Sequence, residues 1–170
     1  MMDFLALAGS RYSVRSFTDT RVPEELLEKV LKAGRLAPTA MNRQPQRIYV
    51  IRSREAMEKL QQVKTCYNAP LVLVVCGDTS VACDRPVVGR NLAEMDASIV
   101  ATHMMLEATA CGLGSVWICA FDTERLARAF DLPDTTVPYM LLALGYPTED
   151  CQPSPRHTQR FPLEDTVTVL

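Results

Sequence analysis

The stretch from Asn91 to Cys111 limits this chain more than any other. It reads as one long helix with Leu92, Met95, Ile99, Val100, Met104 and Leu106 on the inside, and it is apolar nearly all round. A helix of that kind belongs in the middle of a domain or in a subunit interface, not on a wet surface. Gly112 follows where a left-handed C-terminal cap would end it. Pro70 to Cys76 is the second constraint: the run is continuously apolar and rich in β-branched residues, the pattern of a central strand buried on both faces. Any fold has to surround both elements.

The remaining elements are shorter. Pro23 with Glu24 and Glu25 opens a helix whose buried stripe is Leu26, Leu27, Val30 and Leu31, running to Gly34. The two carboxylates favour that N-terminus. Arg47 to Arg52 carries Ile48, Val50 and Ile51 and reads as a strand, followed by a short helix with Met57, Leu60 and Val63. Ser115 to Cys119 is a further strand, Asp122 caps a helix reaching Phe130, and Tyr139 to Leu144 is a last strand ended by Gly145. The tail from Tyr146 holds Pro147, Pro153, Pro155 and Pro162, so it is expected to be extended and docked along a surface instead of helical.

At this length the chain is expected to form one domain over residues 1–170. Its net charge of −2 leaves no broad basic face for nucleic acid, so a bound phosphate would be held locally. The apolar run from Met1 to Ala8 contains Asp3, follows no Lys or Arg and is too short to span a bilayer; a cytoplasmic location without a membrane anchor is expected. The six cysteines contain no Cys-x-x-Cys pair, so no metal site is expected. Cys76, Cys111 and Cys119 lie in apolar runs and are expected to be reduced, buried thiols.

Arg11, Ser13 and Arg15 carry the first chemical signal. In an extended segment, alternation sends these three to one side and Tyr12, Val14 and Ser16 to the other. Two guanidinium forks and a hydroxyl then converge, as they would in a phosphate cradle or in a solvated basic turn. Between Pro38 and Pro45, Thr39, Asn42 and Gln44 offer uncharged donors and acceptors, the mixture that an isoalloxazine ring or ribityl chain requires, although an ordinary helix-to-strand connection looks the same. Gly112 to Phe121 lacks the spacing of a dinucleotide fingerprint, and its small residues at 119 and 120 would let a backbone N–H approach a flat cofactor. Arg156 and Arg160 come late enough to return to a phosphate, or to remain solvated tail charges.

Taken in this order, over nearly the whole chain, the four segments resemble the FMN-dependent nitroreductase family, in particular its short branch. The resemblance implies an α+β fold with a mostly antiparallel central sheet flanked by helices, a homodimer with FMN at the subunit interface, and an extended C-terminal tail lying on the other subunit. It implies that Arg11, Tyr12, Ser13 and Arg15 hold the flavin phosphate and ring edge, and that Asn42 and Gln44 sit in a loop of the Ser/Thr-x-Asn-x-Gln-Pro kind. The segment Trp117 to Phe121, with Trp117, Ile118, Cys119 and Ala120 as its site residues, resembles the strip whose backbone bonds the reducible flavin nitrogen, and Arg156 or Arg160 resembles the late arginine of the phosphate site. Gln46 and Arg47 stand where many relatives have an aromatic residue, and Cys119 where the short branch often has glycine and the longer branch glutamate.

The activity so implied is ping-pong: NADH or NADPH reduces the flavin, which then reduces a small electron-poor acceptor such as a nitroaromatic or quinone. The cofactor carries such chemistry, so no catalytic side chain is assigned. A same-fold enzyme that fragments flavin or dehalogenates its substrate, and a non-catalytic FMN-binding or electron-relay module, are the other readings; steady-state NAD(P)H oxidation separates them. The short span between Gln62 and Asn91 leaves little room for inserted helices over the site.

Overall fold

The structure, a computed structural model, describes residues 3–85 and 89–170. The helices are α1 (Phe4–Ser10), α2 (Glu24–Leu36), α3 (Arg54–Val63), α4 (Ala93–Ala110), α5 (Thr123–Ala129) and α6 (Leu163–Thr166), with a 3-10 turn at Ala40–Asn42. The strands are β1 (Gln46–Ile51), β2 (Leu71–Asp78), β3 (Asp84–Arg85), β4 (Arg90–Asn91), β5 (Gly114–Ile118) and β6 (Thr136–Gly145).

Four strands form an antiparallel sheet in the order β1-β2-β6-β5, and β3 and β4 make a separate ribbon. The fold is α+β, with helices on both faces of this sheet. Alternation along β2 explains the two layers: Leu71, Leu73 and Val75 join the core under α2 and α4, whereas Val72, Val74 and Cys76 join the core under α3 and α5. The central strand is therefore buried on both faces, as its composition requires. Between α3 and α4 the described residues form β2 and the β3–β4 ribbon and no helix.

Four expectations need correcting. First, α4 is not buried as its hydropathy suggests: the inner stripe is Ala93, Asp96, Ala97, Val100, Ala101, Met104 and Ala108, while Met95 is exposed and Ile99 and Leu106 are half-buried. Alanines let α4 lie close to α2 and the sheet, which turns the larger side chains outward. Met104 thus faces the protomer's own core. Second, α2 runs two residues beyond Gly34, which lies inside it and faces Met104 and Val100. Third, of the cysteines expected to be buried, Cys76 is, but Cys111 is half-buried and Cys119 exposed, because it lies past the last rung of β5. Fourth, the tail is not wholly extended: it turns near residues 155–158 and ends with the single helical turn α6 after Pro162. Phe161, Leu163, Val167 and Val169 stand exposed there, so the tail's end does not dock on its own chain. Gly112 adopts the expected left-handed conformation (φ 75°) at the end of α4.

Candidate functional site

The segment from Arg11 to Arg15 runs beside β5. Ser13 forms a parallel bridge with Ser115, and the Val14 N–H donates to the Ser115 carbonyl at 2.9 Å. Val14 points inward and is fully buried. A Cβ on Gly114 would sit 2.7 Å from a Val14 methyl carbon, so only glycine lets this segment lie so close to the strand. With Val14 inside, Arg11, Ser13 and Arg15 turn outward together. They line a cavity of about 470 Å³ whose other walls are Ser154, Arg156, His157 and Arg160.

The tail is held over that segment at several points. Tyr12 donates to the Cys151 carbonyl at 3.4 Å, and the His157 Nε2 lies 3.2 Å from the Gly9 carbonyl. The Tyr12 and His157 rings meet edge to face, with centroids 6.3 Å apart. Burial, with the Cys151 thiol next, pushes the Tyr12 phenol above its ordinary range, so it stays a neutral donor at pH 7. Arg15 donates only to the Ser13 carbonyl (3.4 Å), and Arg160 to the carbonyls of His157 and Gln159 (2.7 Å each). Among the described residues no carboxylate forms an ion pair with any of the four arginines. Four guanidiniums facing one space without a counterion have the chemistry of a site for a multiply charged anion. His157 and Ser154 were not picked out from the sequence; a histidine next to Arg156, between tail prolines, was the available signal.

The loop before β1 lies elsewhere. Thr39 Oγ1 accepts the Gln44 N–H at 3.0 Å, and Asn42 and Gln44 are exposed. Met41, Asn42 and Gln44 have φ of 52°, 53° and 50°, the left-handed region that non-glycine residues rarely adopt. Arg47 and Asp78, whose carboxyl lies below the ordinary range chiefly because Ser80 hydrogen-bonds to it, form a pair at 3.2 Å beside the loop. The third segment ends β5: Trp117 is half-buried, Ile118 buried, and Cys119 and Ala120 exposed, with the Trp117 indole N–H donating to the Cys119 sulfur at 2.8 Å.

Register gives the separations. Gln46 pairs with Gly77 and Gly77 with Val137 at one end of the sheet, whereas Ser115 pairs with Leu144 near the other, on the opposite edge. Three strand spacings sideways and seven residues lengthwise put the loop roughly 25–30 Å from the arginine cavity. Cys119 lies between, about 13 Å along β5 from Ser115. One chain thus brings Arg11, Ser13, Arg15, Arg156 and Arg160 together, leaves Trp117 to Ala120 at some distance, and keeps Thr39, Asn42 and Gln44 apart from both.

The sequence profile of the nitroreductase family matches residues 8–66 and 61–146. A Methanothermobacter thermautotrophicus protein with the provisional name NADH dehydrogenase/NAD(P)H nitroreductase is 33% identical over 157 residues, 88% of this chain and 80% of its own length. The FMN reductase (NAD(P)H) of Bacillus subtilis is 25% identical over 182 residues, with 92% of this chain and 73% of that protein covered. Among solved structures, a nitroreductase family protein from Clostridium difficile 630 matches with a TM-score of 0.93 at 44% identity, over 98% of both chains. No helix of the described residues is long and apolar enough to cross a membrane.

Proposed function

The chain belongs to the nitroreductase family, and from that premise we propose that it is an FMN-dependent oxidoreductase. In this reading, residues 1–170 form one FMN-binding unit that uses NADH or NADPH to reduce an electron-poor acceptor, nitroaromatic or quinone, in a ping-pong cycle. The observation that carries the reading is the cavity where Arg11, Ser13, Arg15, Arg156 and Arg160 converge without a carboxylate partner among the described residues. A phosphate dianion fits that donor set: the arginines supply charge-assisted bonds, and Ser13 and Ser154 supply hydroxyls. The names of the relatives, an FMN reductase and an NAD(P)H nitroreductase, support the same cofactor and donor.

FMN held there would supply two-electron redox chemistry between the nicotinamide donor and the acceptor. The chain's own residues bind and orient. Arg11, Ser13 and Arg15 anchor the phosphate, with Arg156 or Arg160 completing the site, and Tyr12 borders it. The backbone of Trp117 to Ala120 would face the ring, and Thr39, Asn42 and Gln44 would supply uncharged partners for it. Because that last group lies roughly 25–30 Å from the cradle in one chain, the site takes its loop from a second copy. A homodimer with FMN at the interface follows, and the exposed apolar tail and outer face of α4 fit such a contact.

Anaerobic absorbance of the purified protein tests the reading. FMN bands are expected to bleach on adding NADH or NADPH and to return on adding a nitroaromatic or quinone. Bound flavin that neither nicotinamide bleaches would overturn the enzymatic reading. Sedimentation is expected to show FMN on the dimer, and a monomer fully loaded with FMN at low micromolar concentration would refute the shared site.

A further inference from the structure

We infer that Asp96 and Arg47 are positioning residues that fix the two ends of the loop from Thr39 to Gln44, and so hold Asn42 and Gln44 in the shape that receives the flavin ring. This rests on the FMN reading above. Three residues of that loop occupy left-handed backbone without being glycine. Such conformations persist only where the surroundings over-determine them, and they cluster at functional sites.

At the loop's upstream end, Asp96 Oδ1 accepts the Ala40 N–H at 2.9 Å. Asp96 is only 2% exposed and sits in the first turn of α4, the helix packed against both α2 and the sheet, so it is a rigid post. It is also the one charged side chain on the buried stripe of α4. Burying a carboxylate is costly unless its bonds are made, and among the described residues this side chain makes one hydrogen bond, to the loop, with Oδ2 left without a partner. At the downstream end, the Arg47 guanidinium donates to the carbonyls of Gln44 (3.3 Å) and Gln46 (3.0 Å) and to Asp78 Oδ2 (3.2 Å). Asp78 is itself held by the Ser80 N–H (3.1 Å) and hydroxyl (2.6 Å), and its own N–H donates to the Pro45 carbonyl at 2.8 Å. Between these anchors Thr39 Oγ1 accepts the Gln44 N–H within the loop, and one weak contact comes from outside it, the Cys83 thiol with the Met41 sulfur at 3.6 Å. Free either end and the left-handed backbone at 41, 42 and 44 keeps one distant side-chain anchor, together with the Asp78 N–H on the Pro45 carbonyl and the weak thiol contact on Met41.

The test compares FMN with riboflavin, which shares the ring and ribityl chain but lacks the phosphate, using the full chain and calorimetry together with thermal melting. Arg47→Met and Asp96→Ala are each expected to weaken both flavins by the same factor, about tenfold, the loss of one charge-assisted hydrogen bond. The FMN-to-riboflavin ratio then stays at its wild-type value, whereas Arg15→Ala, as the contrast, weakens FMN alone. Asp96→Asn keeps an oxygen for the Ala40 N–H and is expected to recover about half of the loss on a logarithmic scale, a neutral acceptor making a bond roughly half as strong. If Asp96→Ala does not fold, Arg47→Met decides, since that side chain is 41% exposed on the edge strand β1. Unchanged affinity for both flavins in Arg47→Met, whatever its melting temperature, would overturn the inference, and so would a loss confined to FMN. A wild-type protein that binds neither flavin removes the FMN reading itself, and the inference with it.

Discussion

The contact between α2 and α4 sets where Asp96 stands, and a double-mutant cycle at Gly34 and Met104 probes it directly. A Cβ built on Gly34 falls 2.7 Å from Met104 Cγ, 3.0 Å from its sulfur and 3.3 Å from a Val100 methyl carbon. Met104 is fully buried. By helix propensity alone Gly34→Ala would gain about 1 kcal/mol, but the overlap with Met104 costs about 1–3 kcal/mol; the net is a loss of about 1 kcal/mol. Met104→Ala opens a cavity, at a cost of about 2–5 kcal/mol. In the double variant the new methyl occupies space that Met104 has vacated, so the overlap disappears and the propensity gain is recovered. The double variant should therefore be more stable than the sum of the singles by about 2 kcal/mol, within the range found for residues in contact. Urea unfolding of the four proteins at one protein and flavin concentration measures this, with an unchanged m-value as the check that the unfolded state is the same. Additivity within about 0.5 kcal/mol would mean that the two residues do not touch. Met104→Asp in the same series should fail to fold, and a folded monomer would instead put Met104 on a partner-facing surface.

Three further outcomes follow from the site. Arg15→Ala should raise the FMN dissociation constant roughly tenfold to a hundredfold, the equivalent of about 1.5–3 kcal/mol for one charge-assisted bond; calorimetry giving an unchanged constant would remove Arg15 from the cradle. A thiol reagent should label Cys119 first and spare Cys66 and Cys76, whose thiols burial pushes up to about 11 and about 12, and Cys119→Ala should leave NAD(P)H-driven turnover intact; lost turnover with FMN still bound would give the side chain a role. Asp78 has a lowered folded-state pKa, with the Ser80 hydrogen bond as its largest cause. Its stabilising contribution is present above the ordinary carboxylate range and lost as pH falls through that range and below it. Asp78→Asn should flatten this part of the acid limb of a stability-versus-pH curve, and identical limbs would show that the Ser80 hydrogen bonds and the Arg47 pair together add nothing to it.

What could be read from the sequence is what local pattern determines. The double-faced burial of β2 follows from a run with no polar residue, and the shared direction of Arg11, Ser13 and Arg15 follows from alternation around one valine. The inner face of α4 was hidden, because hydropathy ranks Met95 and Ile99 above alanine, while packing against α2 and the sheet selects the small residues. Asp96 was visible as an acid within an apolar helix, yet its role depends on Ala40, 56 positions away. The left-handed residues of the loop carry no glycine to announce them, and the side-chain hydrogen bonds that flank them come from Asp96 on α4 and Arg47 on β1.

That difference bears on how the site is assembled. The cradle's residues lie near both ends of the chain and are joined by the bridges Ser13–Ser115 and Phe17–Pro147, so its geometry is complete in one protomer. The loop from Thr39 to Gln44 is anchored just as firmly, but at the far end and on the opposite edge of the sheet. Two preset halves held roughly 25–30 Å apart by one rigid sheet cannot close on a single mononucleotide by side-chain movement. They can meet only if a second copy brings its loop to the first copy's arginines. On the proposed shared site, affinity for FMN and association of the protomers are one equilibrium, and diluting the protein should release flavin in step with the loss of dimer.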